Sequence, residues 1–243
     1  MRLKIFSNYS PNFNSIKRKT TQIKFLIFHY TGMKKESNAI KKLTSLGSDV
    51  SCHYFIKKNG ETLLLVPDLY IAWHAGKSRW KNYKFLNKNS IGVEISNPGH
   101  DHNYKKFSKK QIQSIIKLSK ILIKKYNINS KNILGHSDIS PERKKDPGEK
   151  FPWKYFAKHK IGIWYNLPKK NRKFRNVEVS KNEKKFFFLC LKKMGYCQKI
   201  TQSKNLKFII KAFQRRYRTK IINGKIDKEC LEIAKNLIKC GFN

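Results

Sequence analysis

The segment GHSDISPERKKDPGEKFPW, from Gly135 to Trp153, puts His136 and Asp146 on one loop with Lys144 between them, and its prolines and glycine restrict the path of the chain. A neutral imidazole and a carboxylate brought close together suit a borderline cation such as Zn²⁺, but a catalytic zinc needs three protein donors and an open fourth position. His29 is a candidate third donor. It stands near the end of the apolar run QIKFLIFHY, Gln22 to Tyr30, and a histidine at the end of a buried strand can point into a cleft. Together His29, His136 and Asp146 offer two imidazoles and one carboxylate. A metal held this way lowers the pKa of its water to about 7 and polarises a carbonyl oxygen. Proton traffic and charge stabilisation remain to be supplied. Glu94 lies inside the apolar strand SIGVEIS, where an unpaired carboxylate costs free energy unless it is neutralised, paired or put to use. Such a group could take a proton from the attacking water and pass it to a leaving amine. Lys144 could set an ammonium near a developing oxyanion.

Spacing ranks these residues without settling their roles. His53, His74, His100, His102 and His159 are rival ligands, and His100-Asp101-His102 is a spare metal site on spacing alone. Gly92, Glu94 and Ser96 alternate with Ile91, Val93 and Ile95, so Glu94 also fits the wet face of a one-sided strand. Lys144 belongs to a lysine-rich chain, in which most lysines are solvated.

The elements that must position these groups read as an α/β domain. Strand patterns at Gln22 to Tyr30 and Ser90 to Ser96 are joined by Ser51 to Lys57 and Thr62 to Val66, two runs that flank the hairpin signal Asn59-Gly60. Ser37 to Leu46 reads as an amphipathic helix. Ser108 to Tyr126 reads as a longer one, with Ile112, Ile115, Ile116, Leu118, Ile121, Leu122 and Ile123 as its apolar residues. Residues 167–185 are basic and poor in core formers, which predicts a linker. Phe186 to Leu191, Asn205 to Tyr217 and Asp227 to Ile238 then predict a small three-helix domain.

Composition bounds the function classes. The 243 residues include 55 Lys and Arg against 15 Asp and Glu, a formal net charge of +40. That field would attract any polyanion, yet the lysines are scattered and accompany abundant Ile and Asn, the trio that an AT-rich coding sequence produces. Nucleic-acid binding driven by charge alone would leave the loop and strand motifs without a purpose. A hydrophobic fraction of 39% with 13% aromatics indicates a folded protein. No stretch has the roughly 18 to 20 apolar residues of a transmembrane helix, and the first residues show no apolar export signal. The five cysteines, Cys52, Cys190, Cys197, Cys230 and Cys240, form no CxxC and leave an odd thiol, as expected of a reducing compartment.

Five ordered segments, FLIFHYTGM, VSCHYFIKKNGE, AWHAGKSRW, NSIGVEISNPGHD and GHSDISPERKKDPGEKFPW, resemble the zinc-dependent N-acetylmuramoyl-L-alanine amidases of the type that includes AmpD and AmiD. The resemblance spans about Ser10 to Ile163. It implies Zn²⁺ on His29, His136 and Asp146, with Glu94 as catalytic acid and base and Lys144 stabilising the transition state. It further implies a mixed sheet flanked by helices, and a substrate groove to which Trp73, His74, Trp80 and Asn97 contribute. The segments LKKMGY, KAFQRRYR and INGKID resemble a three-helix peptidoglycan-binding domain, although Cys230 stands where that pattern usually has Thr. The implied order is a catalytic domain at 1–166, a linker at 167–185 and a wall-binding module at 186–243. The implied substrate is peptidoglycan or a muropeptide, cut between N-acetylmuramic acid and L-alanine during wall turnover. The alternative is a non-catalytic peptidoglycan-recognition protein using the same groove. A wall-binding module favours the cell envelope or periplasm, and the missing signal and odd thiol favour the cytoplasm.

Overall fold

The computed structural model describes residues 3–196 and 203–242, so Cys197 lies outside the described residues. The short apolar runs become strands of one mixed sheet: β1 (Ile5–Ser7), β2 (Phe25–Tyr30), β3 (Tyr54–Ile56), β4 (Thr62–Leu64), β5 (Ser90–Ile95) and β6 (Ile133–Gly135), in spatial order β1-β4-β3-β5-β2-β6. All neighbours run parallel except β3 and β4. That pair is the hairpin signalled by Asn59-Gly60: Gly60 takes φ +86°, and the Glu61 amide donates to Asn59 Oδ1 at 2.9 Å. A two-residue side-chain period gives the sheet two different faces. Leu26, Phe28, Ile91, Val93 and Ile95 form one core with Ile115, Leu118 and Leu122.

Helix α1 (Glu36–Thr44) packs Ala39 and Leu43 against Phe55 and Leu63, at one end of the opposite face. The residues Ile115, Leu118 and Leu122 belong to α2 (Lys109–Tyr126), whose limits are chemical. Ser108 caps its start by accepting from the Gln111 amide, and Asn127 ends it in the left-handed region at φ 50°. Of the residues expected on its apolar face, Ile121 turns to solvent and is 46% exposed.

The short α3 (His136–Ile139) follows β6 directly, and α4 (Trp153–Lys158) closes the loop that carries Asp146. Three helices then complete the chain: α5 (Lys181–Met194), α6 (Ser203–Tyr217) and α7 (Lys228–Gly241). Helix α5 starts at Lys181 rather than Phe186, inside the stretch read as linker. Its first turn is polar and invisible to apolar periodicity, but it is fixed by the reciprocal Ser180–Glu183 capping box. The basic segment ahead of it is also pinned, because Arg175 forks onto both carboxylate oxygens of Glu229 at 2.6 Å.

The helical unit is part of the main core. Phe187, Leu191, Met194, Phe213, Leu231 and Leu237 share one buried cluster with Phe25, Ile27 and Leu134 of the sheet. Each fully buried side chain of this size contributes about 1.5–3 kcal/mol. Across this junction Arg216 of α6 meets Asp138 of α3 at 2.5 Å, with both side chains buried. Tyr196 donates its hydroxyl to the other oxygen of Asp138, and the Arg216 guanidinium lies 4.0 Å from the centroid of the Trp153 ring. The mixed sheet flanked by helices agrees with the fold that the sequence implied. Among the described residues, no helix is long and apolar enough to cross a membrane.

Candidate metal centre and active-site cleft

Three adjacent parallel strands deliver the chemistry to one end of the sheet. In the β2–β5 register His29 stands directly beside Glu94, and β6, paired with β2 up to Gly135 and Phe28, ends where His136 begins. Asp146 comes from the loop after α3, and its carbonyl accepts from the Ser137 amide at 2.8 Å, which ties that loop back to the ligand helix. His29 Nδ1 lies 2.9 Å from His136 Nδ1, and Asp146 Oδ2 lies 3.1 Å from each nitrogen. All three side chains are buried. His136 and Asp146 line a cavity of about 450 Å³, together with Glu94, Lys144, Tyr30 and Trp73.

The donor set fits a metal ion. His136 Nε2 faces the Ala75 carbonyl at 3.2 Å, and a carbonyl only accepts, so the proton of the neutral ring is on Nε2 and the Nδ1 lone pair faces His29 and Asp146. Two imidazole nitrogens and a carboxylate oxygen at such separations call for a proton or a cation among them. Tetrahedral zinc with N and O donors at about 2.0–2.1 Å keeps those donors about 3.3 Å apart, close to the observed spacing.

Electrostatics separates the roles of the titratable groups. Burial, followed by the neighbouring His136, pushes His29 down to about 4, against the pull of Asp146. Burial alone would raise Asp146, but the charges and hydrogen bonds of His136 and His29 hold it far below the ordinary carboxylate range. Glu94 goes the opposite way, raised to about 8 by burial and by Asp146, with Lys144 opposing. Its Oε2 is buried without a hydrogen-bond partner. Two carboxylates in one cleft, one kept as an anion and one brought to exchange its proton near neutral pH, have the arrangement of a ligand and an acid–base group.

A family model described as N-acetylmuramoyl-L-alanine amidase matches residues 19–149. The chain is also 33% identical over 232 residues to AmiD of Escherichia coli strain K12, spanning 90% of this chain and 83% of that protein. The chain belongs to the N-acetylmuramoyl-L-alanine amidase family. Among solved amidases, E. coli AmiD in complex with the substrate anhydro-N-acetylmuramic acid-L-Ala-D-gamma-Glu-L-Lys matches with a TM-score of 0.79 at 31% identity, over 93% of this chain and 92% of that one. AmpDh3 of Pseudomonas aeruginosa matches with a TM-score of 0.79 at 28% identity, over 93% and 96% of the two chains.

The fold of this amidase sorts the remaining candidates. Among the described residues, His29, His136 and Asp146 are the one group of three His, Cys, Asp or Glu side chains placed to hold a metal. His100 and His102 make no second centre: His100 Nδ1 accepts from the Tyr30 hydroxyl at 2.8 Å while Nε2 meets Glu149 at 2.9 Å. His53 accepts the Gly92 amide on Nδ1, and His159 bonds to the Tyr155 carbonyl. Trp73 borders the cavity, with its indole N–H donated to Asn14 Oδ1 at 2.7 Å. Trp80 does not. It is 1% exposed and packs its ring 4.7 Å from that of Tyr196, because the short ribbon Arg79–Trp80 turns it inward under the helical unit. Asn97 is also spent on structure, buried and accepting the Gly99 amide at 3.1 Å while donating to the Lys105 carbonyl at 2.8 Å. His74 borders the cavity, but both its ring nitrogens are engaged within the fold, with His29 and Ser90.

Sequence reasoning overlooked Tyr30 and Arg143, both of which line the cleft. Arg143 bonds the Ala75 and Lys77 carbonyls and Ser140 Oγ, clamping two loops together. Its neighbours in a lysine-rich run hid it, and the one available signal was that it is the lone arginine of that run.

Proposed function

We propose that a Zn²⁺ held by His29, His136 and Asp146 serves the amide hydrolysis of this family in the present chain, with Glu94 as acid and base and Lys144 as the cation facing the oxyanion. The observation that carries this reading is the convergence of His29 Nδ1, His136 Nδ1 and Asp146 Oδ2 beside a protonatable Glu94 on the adjoining strand. The scissile bond joins the lactyl carbonyl of N-acetylmuramic acid to the L-alanine nitrogen of the stem peptide. When bound, the metal supplies Lewis-acid polarisation of that carbonyl and a more acidic water. Glu94 accepts the proton of the attacking water and returns it to the alanine nitrogen, which must leave as a neutral amine. Lys144 lines the same cavity and stabilises the tetrahedral oxyanion through its charge. Trp73 offers an apolar wall for sugar or peptide.

The muropeptide bound in the AmiD structure supports an anhydro- or ordinary muramyl peptide as the ligand here. The similarity to AmiD runs on through the helical unit, whereas AmpD of E. coli aligns over 44% of this chain at 38% identity. This supports a catalytic domain at 1–166, a connecting segment, and a helical module from Lys181 onward that holds wall polymer, and with it a place in the cell envelope. The test is mass spectrometry of products from intact sacculi and from soluble anhydro-muropeptides, with and without a chelator. Free stem peptide that disappears on chelation is expected. Binding without cleavage would replace this reading with that of a recognition protein.

A further inference from the structure

Behind the three candidate ligands lies a second layer built from one short loop. His74 Nδ1 is 3.0 Å from His29 Nε2, on the side of the ring away from Asp146, and His74 Nε2 is 3.1 Å from Ser90 Oγ. Ser90 Oγ is in turn 2.6 Å from the Leu86 carbonyl. Proton accounting along this chain has one solution when the rings are neutral. The Leu86 carbonyl can only accept, so it takes the Ser90 hydroxyl proton, and Ser90 Oγ then accepts from His74 Nε2–H. His74 is left bare at Nδ1 and accepts from His29 Nε2–H. The lone pair of His29 therefore emerges at Nδ1, toward His136 and Asp146.

The same loop serves the second imidazole. Ala75, the next residue, presents the carbonyl that accepts His136 Nε2–H at 3.2 Å. The backbone of this pair is itself fixed, since the His74 and Ala75 amides both donate to Asn87 Oδ1, at 3.1 and 2.6 Å. Strand β5 is shaped to admit it. Ser90, Gly92 and Glu94 share one face, and a Cβ at Gly92 would stand 2.3 Å from His74 Cγ. The glycine between the β-branched Ile91 and Val93 is thus the space in which His74 lies.

We propose that His74 and Ser90 are positioning residues of the metal centre, and that the His74–Ala75 segment sets the tautomer of both imidazole ligands so that two Nδ1 lone pairs meet at one point. This inference rests on the reading of His29, His136 and Asp146 as a zinc site. His74 is consequently a support beneath the site, with no ring nitrogen left over for substrate.

The test combines zinc affinity, by competition with a chelator, with ¹⁵N NMR of the imidazoles in the metal-free protein at pH 7. The wild-type protein should show His29 as the Nε2–H tautomer, and His136 with a proton on Nε2, before any zinc is added. Ser90→Ala and His74→Ala should each bind zinc about 10–100-fold more weakly, the usual consequence of losing an outer partner of a metal ligand. His74→Asn, whose Oδ1 can take the place of Nδ1 as acceptor, should recover most of the loss, and Gly92→Ala should reproduce it by displacing the ring. An Nδ1–H tautomer at His29 in the wild-type protein would overturn the inference, with or without zinc. So would zinc binding by Ser90→Ala and His74→Ala within twofold of wild type. A wild-type protein that binds no zinc yet keeps the Nε2–H tautomers would refute the zinc reading and leave the hydrogen-bond chain standing.

Discussion

Replacing Glu94 by Gln separates stability from catalysis in a way that the geometry makes quantitative. The buried carboxyl titrates at about 8 in the folded protein against an ordinary value of 4.5. Below pH 4.5 both states hold the proton; between 4.5 and 8 the unfolded chain releases it and the folded chain keeps it. Stability from this group is therefore fully present at low pH and is lost as pH rises through that window, by up to 1.36 kcal/mol per pH unit. From pH 5 to pH 8 the wild-type protein should lose about 3.5 kcal/mol that Glu94→Gln does not lose. At a urea m-value of about 2–3 kcal/mol/M, the gap between the two unfolding midpoints should change by more than about 1 M. The assay is urea unfolding of both metal-free proteins at the two pH values. Taking the difference of differences cancels the histidines, which the two chains share. The variant should also lose about 10²–10⁴-fold in kcat/KM toward a muropeptide, the usual worth of a general acid–base group. Unfolding profiles that stay parallel from pH 5 to pH 8 would refute the reasoning, because a carboxyl that ionises freely in the folded state is neither desolvated nor held in reserve as an acid.

Asp146→Asn removes the anionic donor, and the purified variant should retain little zinc on metal analysis and show no turnover; full zinc occupancy would count against its role as a ligand. Wild-type activity should vanish with chelator and return with Zn²⁺ but not Mg²⁺, whose preference for six oxygen donors does not suit two imidazoles. Lys144→Ala should lower kcat by about 10²–10³-fold with little change in KM, as expected for a charge that acts on the oxyanion. Asp138→Ala leaves Arg216 buried without its partner and should cost about 3–5 kcal/mol in urea unfolding, whereas a cost below 1 kcal/mol would show that the pair is dispensable.

Much of the site could be read from residue types, because strand ends and loop prolines leave local marks. FLIFHY shows where a strand stops, and the Asn59-Gly60 turn and Ser108 cap name their own positions. What the sequence withheld is what lies above and below each residue. Trp80 sits in a motif beside cleft residues, yet it is covered by Tyr196, whose approach depends on helices more than a hundred positions later. His100, with the spacing of a metal pair, is used by Tyr30 and Glu149 from two other segments. Glu94 could be read as a wet strand residue or as a buried acid, and its place beside His29, with Oε2 buried at the cavity wall, decides between them. The start of α5 was missed for a local reason, since a polar capped turn carries no apolar period.

The core shared by Phe25, Ile27, Leu134 and Phe213 also sets an order of events during synthesis. The site's own face of the sheet is completed by residues that leave the ribosome last. At about 5–20 residues per second, Ile27 emerges on the order of ten to forty seconds before Phe213 can cover it. Throughout that interval an apolar surface next to two candidate metal-ligand positions stays wet and open to wrong partners. A nascent chain halted before α6 would therefore carry every candidate catalytic residue and still leave uncovered the face of the sheet that aims them.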